Sequence, residues 1–185
     1  MYRRRIPGLV LFFVAGACIA VAAETPALWI DVPFVAQSKN GCGSAAIAMV
    51  MDYWNQKAGQ AALGAARAAE IQQALYSPRE EGIPARAMQG YFEDSGYQVF
   101  VFAGDWTALE RHLSRGRPLI VALKASGPHG PLHYLVVVGI DAAQGTVFVN
   151  DPAQQKMLRL SREGFESEWS ATRNWTLLAV PRPPG

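Results

Sequence analysis

The sequence predicts an α+β domain in which helices precede an antiparallel sheet, and three observations carry that expectation. Segments with helical apolar spacing fill the chain from residue 42 to residue 96. Beyond residue 97, short runs rich in β-branched and aromatic residues take over, interrupted by only two short helices. Two of those runs, 133–140 and 146–150, are joined by a turn around Ala143-Gln144-Gly145, a hairpin pattern. Helices first and strands later marks α+β order rather than alternating βαβ units.

The elements follow in order. Trp29-Ile30-Asp31-Val32-Pro33-Phe34 reads as an extended entry segment, and Pro33 cannot continue a ladder because it lacks an N–H. A helix over about 42–56 places Ile47, Val50, Met51 and Trp54 on one face, a core stripe. An alanine-rich helix over about 62–76 ends at Ser77-Pro78, where proline disfavours helix in the residue before it. A third helix starts at Gly82-Ile83-Pro84, with Pro84 in its first turn, and runs to Asp94-Ser95-Gly96. Strand 97–102 follows, then a helix capped by Asp105 and reaching about Arg115, then a buried strand over 118–123. After the hairpin come strands 157–160 and 175–180 on either side of a short helix, and 181–185 is a tail. There is no internal repeat, and no linker long enough to divide the domain.

Size and charge narrow the function. A chain of 185 residues, half of them apolar, buries a core without metal or disulfide staples. Net charge is +2 and no basic run follows residue 5, so nucleic acid is not an expected partner. Arg3-Arg4-Arg5, the apolar run Leu9 to Val14 and the small residues Ala20-Val21-Ala22-Ala23 read as a secretory signal over 1–23, with the folded domain at 24–185. An uncleaved membrane anchor and lipidation at Cys18 are alternatives for the same segment. The expected location is periplasmic or exported, with membrane contact only through that N-terminal segment.

The domain then keeps one thiol, Cys42, in an oxidising compartment where an idle thiol is a liability. Cys42 opens the first helix after a polar, glycine-containing loop, so the helix dipole and unpaired N–H groups favour its thiolate. A free cysteine is otherwise a small buried hydrophobe. Glycine on both sides and Gln37 just upstream favour a nucleophile.

A thiolate nucleophile needs a base, a group to orient that base and donors for the oxyanion. His112 lies among arginines on a helix and reads as solvated; His129 sits in a Gly-Pro loop. His133 opens an apolar strand and is the expected base, with a packed core histidine as the alternative. Asp151 closes the partner strand. An odd turn of Ala142-Ala143-Gln144 pairs Gly145 with Asp141 and Asp151 with Leu135, setting Asp151 diagonal to His133 on one face. A two- or four-residue turn reverses the faces unless a bulge intervenes, and Asn150 then becomes the orienter. Gln37 is the candidate side-chain donor to the oxyanion, beside the N–H of Cys42.

The block from Gln37 through Cys42-Gly43-Ser44-Ala45 into Ala48-Met49-Val50 and Tyr53-Trp54, followed by His133-Tyr134-Leu135-Val136-Val137-Val138-Gly139 and Val147-Phe148-Val149-Asn150-Asp151-Pro152, resembles the bacteriocin-processing peptidases. These are papain-like cysteine peptidases that cut leader peptides after a double glycine. The resemblance spans about 30–180 and implies a papain-like fold, Cys42 as nucleophile, His133 as base, Asp151 as orienter and Gln37 as oxyanion-hole residue, with no cofactor. It implies a peptide or protein substrate, linked to a secretion or export system. The chain departs from the exporter-fused members in lacking a Gly-x-x-x-x-Gly-Lys-Ser/Thr loop and in carrying an export signal. Acyl transfer or amide hydrolysis by the same triad, and a degenerate leader-binding module, are the rival functions. A zinc site from Cys42, His129 and His133 lacks the paired spacing of zinc motifs.

Overall fold

The computed structural model describes residues 27–124, 129 and 132–183. The predicted signal segment lies outside the described residues. The elements are β1 (Leu28–Trp29), α1 (Cys42–Lys57), α2 (Ala65–Leu75), α3 (Ala85–Asp94), β2 (Tyr97–Ala103), α4 (Trp106–Leu113), β3 (Leu119–Lys124), β4 (Leu132–Asp141), β5 (Thr146–Asn150), β6 (Leu158–Ser161), α5 (Arg162–Ser170) and β7 (Trp175–Pro181). All strand pairs are antiparallel, in the order β2-β7-β3-β4-β5-β6, and β1 adds to β4 where the β3 ladder ends. The α+β expectation holds.

Strand alternation divides the core. Ile120, Ala122, Tyr134, Val136, Val138, Leu177 and Ala179 face the first three helices, where α1 is buried from Gly43 to Tyr53. Leu119, Val121, Leu123, Leu135, Val137, Val147 and Val149 face the other way, onto Leu109 and Leu113 of α4 and Phe165 and Trp169 of α5. The sheet is therefore covered on both faces, which explains why β3 and β4 read as continuous apolar runs. Phe92 and Trp169 are fully buried, and truncating either to alanine would cost about 3–5 kcal/mol.

Helix boundaries follow local chemistry. Asp105 caps α4 by accepting the Ala108 N–H at 2.6 Å. The second helix starts at Ala65 rather than 62, because the buried Asp52 carboxylate takes the N–H groups of Leu63 and Gly64, and Gly64 holds φ 54. Entry-segment pairing stops after Ile30, whose N–H donates to Val138 O at 2.8 Å, ahead of Pro33.

The hairpin differs from the odd-turn expectation. Asp141 pairs with Thr146, not Gly145, so four residues form the turn. A bulge between Val137 and Gly139 inserts one residue and restores the parity, with Val137 opposite Val149 and Val136 opposite Asn150. Its trace is visible in the packing, since Val138 joins one core and Ile140 the other. Gly139 accommodates the kink under β1, where a Cβ would lie 2.7 Å from Leu28 O. Continuing the register by one residue sets Asp151 opposite Leu135, as expected, but by the bulge rather than by the turn.

Candidate active site

Cys42 is the first residue of α1, and the residue before it, Gly41, offers no side-chain cap. The first-turn N–H groups are thus open to the thiol. A Cβ on Gly41 would meet Ser38 Oγ at 2.8 Å, so glycine lets the loop fold back tightly onto the helix. The loop is also tied to the β5 end of the sheet, because the Gln37 N–H donates to Pro152 O at 2.9 Å. Cys42 is partly buried and is the free cysteine among the described residues.

His133 is the second residue of β4, and its ring lines the same cleft as Cys42, near enough for each to shift the other's titration. Its Nε2–H donates to Asp151 Oδ1 at 2.7 Å, which leaves Nδ1 for the sulfur. Asp151 is 3% exposed and its carboxylate is fully engaged. Besides His133 it accepts the Ala153 N–H at 2.9 Å and Gln154 Nε2–H at 2.7 Å. His133 therefore stands between the Cys42 side of the cleft and the Asp151 carboxylate.

Electrostatics favour the charged forms. Burial pushes the Cys42 thiol up, but hydrogen bonds from His133 and the Tyr134 N–H, the His133 charge and the Gly43 N–H together hold it below its ordinary 9.0. Burial pushes His133 down, yet hydrogen bonds to Asp151 and Cys42 and their charges raise it to about 9. Burial raises Asp151, and the His133 hydrogen bond and charge, with Ala153 and Gln154, bring it below the usual carboxylate value. Both shifts run in the same sense, toward thiolate on Cys42 and imidazolium on His133.

Gln37 lines the same cleft as Cys42 and His133, and its Oε1 is buried without a partner, so the side chain is not committed elsewhere. Asn150 is fully buried and points away: its Nδ2 donates to Val32 O at 3.1 Å and its Oδ1 accepts the Met157 N–H at 3.0 Å. It pins three segments together, and Asp151 faces the ring instead. His129 is exposed in a turn. His112 corrects the solvated reading, because its ring packs against Phe102 at 5.9 Å and its Nδ1 is buried. Among the described residues no three His, Cys, Asp or Glu side chains gather as metal ligands would.

The cleft encloses about 810 Å³. Its far wall is the segment from Arg79 to Arg86, closed by a bridge between Ser77 and Gly82, and Leu132 and Tyr134 flank His133. Sequence reasoning missed the part of this wall ahead of α3, which has no periodicity, and two donors. The Tyr134 N–H is a backbone group without a residue signature. Gln154 was within reach, as a polar side chain three residues past Asp151 in a proline turn.

Residues 29–177 match the model of the Peptidase_C39-like family. Among solved structures, the peptidase domain of Streptococcus ComA, a bi-functional ABC transporter involved in a quorum-sensing pathway, superposes with a TM-score of 0.63 at 21% identity, covering 82% of this chain and all of that one. A protein from Bacillus anthracis described as a candidate C39-like peptidase gives 0.62 at 16% identity, covering 86% of this chain and all of that one. At these identities the likeness is one of fold. Curated proteins give no match.

Proposed function

The chain belongs to the Peptidase_C39-like family, and from that premise we propose that it is a cysteine peptidase whose machinery is Cys42, His133, Asp151 and Gln37. The observation that carries the reading is the gathering of Cys42 and His133 in one open cleft, with His133 hydrogen-bonded to Asp151 Oδ1 at 2.7 Å behind it.

The chemistry follows from the charges. The Cys42 thiolate attacks the scissile carbonyl carbon, and the oxyanion is met by the Cys42 N–H and the Gln37 amide. His133, protonated in the resting pair, gives its proton to the departing amine as the C–N bond breaks and a thioester forms. Neutral His133 then takes a proton from water, whose oxygen attacks the thioester; a carboxylic acid leaves and the thiolate–imidazolium pair returns. Asp151 holds the ring orientation and stabilises the imidazolium. The substrate is a peptide or protein segment, encountered in an exported or periplasmic setting and linked to a secretion system. No helix among the described residues is long and apolar enough to cross a membrane.

The test is exposure of the chain to a diverse peptide library, with new termini read by mass spectrometry. Cleavage by the native chain and none by Cys42→Ala is expected. No cleavage by either, with Cys42 intact and reduced, would sink the peptidase reading.

A further inference from the structure

Strand β2 is an unguarded sheet edge. Among the described residues it pairs only with β7, yet it is seven residues long and reads Tyr-Gln-Val-Phe-Val-Phe-Ala, without charge, proline or glycine. Phe100 is 45% exposed and Val101 42%. Such an edge is a template for a further strand, and proteins that leave it unoccupied blunt it with lysine, proline or a bulge. None of these is present here.

The surroundings of the edge are cationic. On the α4 side, a pocket of about 250 Å³ is floored by Phe100, Phe102 and Leu178 and rimmed by Arg111, His112 and Arg117. Arg111, Arg117 and Arg115 all lie close enough to depress His112. Among the described residues, none of these three arginines meets a carboxylate at ion-pair distance. On the opposite side, Val101 and Ala103 open into a second pocket of about 590 Å³, lined also by Leu132, Trp175, Lys124 and Arg173. Both sides of one strand therefore combine apolar surface with positive charge.

We propose that β2 is a docking edge for an extended polypeptide segment in which acidic residues alternate with apolar ones, added to the sheet as an eighth strand. Main-chain hydrogen bonds to β2 supply affinity, and the two pockets read alternate side chains. The carboxylates answer the unpaired arginines. A second copy of this chain is a poor occupant, because edge-to-edge pairing would bring two arginine clusters together. The upstream residues 1–26 fit no better, since they carry Arg3, Arg4 and Arg5 against a single acid, Glu24. No β2 residue lines the catalytic cleft, although the second pocket shares Leu132 with it, and binding at the edge is read without turnover, so the inference stands or falls apart from the peptidase reading.

The experiment uses the full chain as Cys42→Ala and three fluorescein-labelled heptapeptides, followed by anisotropy: Glu-Val-Glu-Val-Glu-Val-Glu, its lysine counterpart, and the glutamate peptide with proline at its centre. The glutamate peptide should bind, the lysine peptide should not, and proline should weaken binding at least tenfold. Arg111→Glu with Arg117→Glu should weaken it at least tenfold, with iodoacetamide labelling of Cys42 unchanged in the cysteine-containing chain. Absence of glutamate-peptide binding, or equal binding of the glutamate and lysine peptides, would overturn the proposal. So would full binding of the proline peptide, which means ionic attraction without strand addition. Concentration-dependent dimerisation lost on Phe100→Lys would assign the edge to a second copy, and arginine-dependent binding to phosphatidylglycerol vesicles without peptide binding would assign the patch to a membrane; either result overturns it.

Discussion

Replacing Asp151 with asparagine isolates the charge that raises His133 and so favours the proposed thiolate–imidazolium pair. The shape of the site survives the change: an asparagine oxygen can still accept from His133 Nε2–H and the Ala153 N–H, and the exposed Gln154 can turn its amide to meet the new NH₂. What disappears is a carboxylate 2.7 Å from the imidazolium. A hydrogen bond to a charged group contributes about 1.5–3 kcal/mol. At 1.36 kcal/mol per tenfold, the neutral thiol–imidazole pair gains on the ion pair by roughly 10- to 100-fold. The assay is the rate of Cys42 alkylation by iodoacetamide as a function of pH. The native chain should show a fast plateau beginning well below the free-cysteine value of about 8.5. In Asp151→Asn the plateau should fall by up to that roughly 10- to 100-fold factor, with melting close to native. A plateau unchanged within about twofold, in a folded variant, would refute the idea that Asp151 sustains the pair, given the shift expected from losing such a bond.

Further expectations concern the neighbours of the pair. Gln37→Ala should lower kcat by roughly 10²–10³ with KM nearly unchanged, the signature of a lost oxyanion donor; an equal loss confined to KM would make it a ground-state contact. Asn150→Ala should leave the alkylation plateau alone but cost about 1–3 kcal/mol in chemical denaturation, because it strands Val32 O and the Met157 N–H. His133 is raised to about 9 in the folded chain, so activity should fall on an alkaline limb near that pH. The linked stability has the same sign: it is complete below the unfolded value of about 6.5 and is lost as pH rises through about 9, so denaturation midpoints should decline there and flatten in His133→Gln.

The candidate site was legible because each of its residues has a local signature. A lone cysteine after a glycine loop, a histidine opening an apolar strand and an aspartate before proline at the end of its partner are short-range patterns, and the structure brings all three together. The register joining them was not legible. Val136-Val137-Val138 is uniform, and only Gly139 marks where the ladder slips. Asp151 therefore reached His133 through a bulge that the turn length alone does not disclose. The cleft wall ahead of α3, from Arg79 to Pro84, was also hidden, because it is held by a bridge and by Glu81 at φ 49 rather than by a periodic element. His112 was misread because arginine neighbours in sequence say nothing of Phe102, which comes from another element.

The central claim is that Cys42 carries the acyl group between two halves of a cleaved peptide. Acid-quenched intact-protein mass spectrometry during turnover of a cleaved library peptide tests it most directly. The account predicts an adduct equal to the N-terminal product less one water, mapped to Cys42 and released by hydroxylamine as a thioester should be. Cleavage that continues in Cys42→Ala, or an adduct on any other residue, would contradict it.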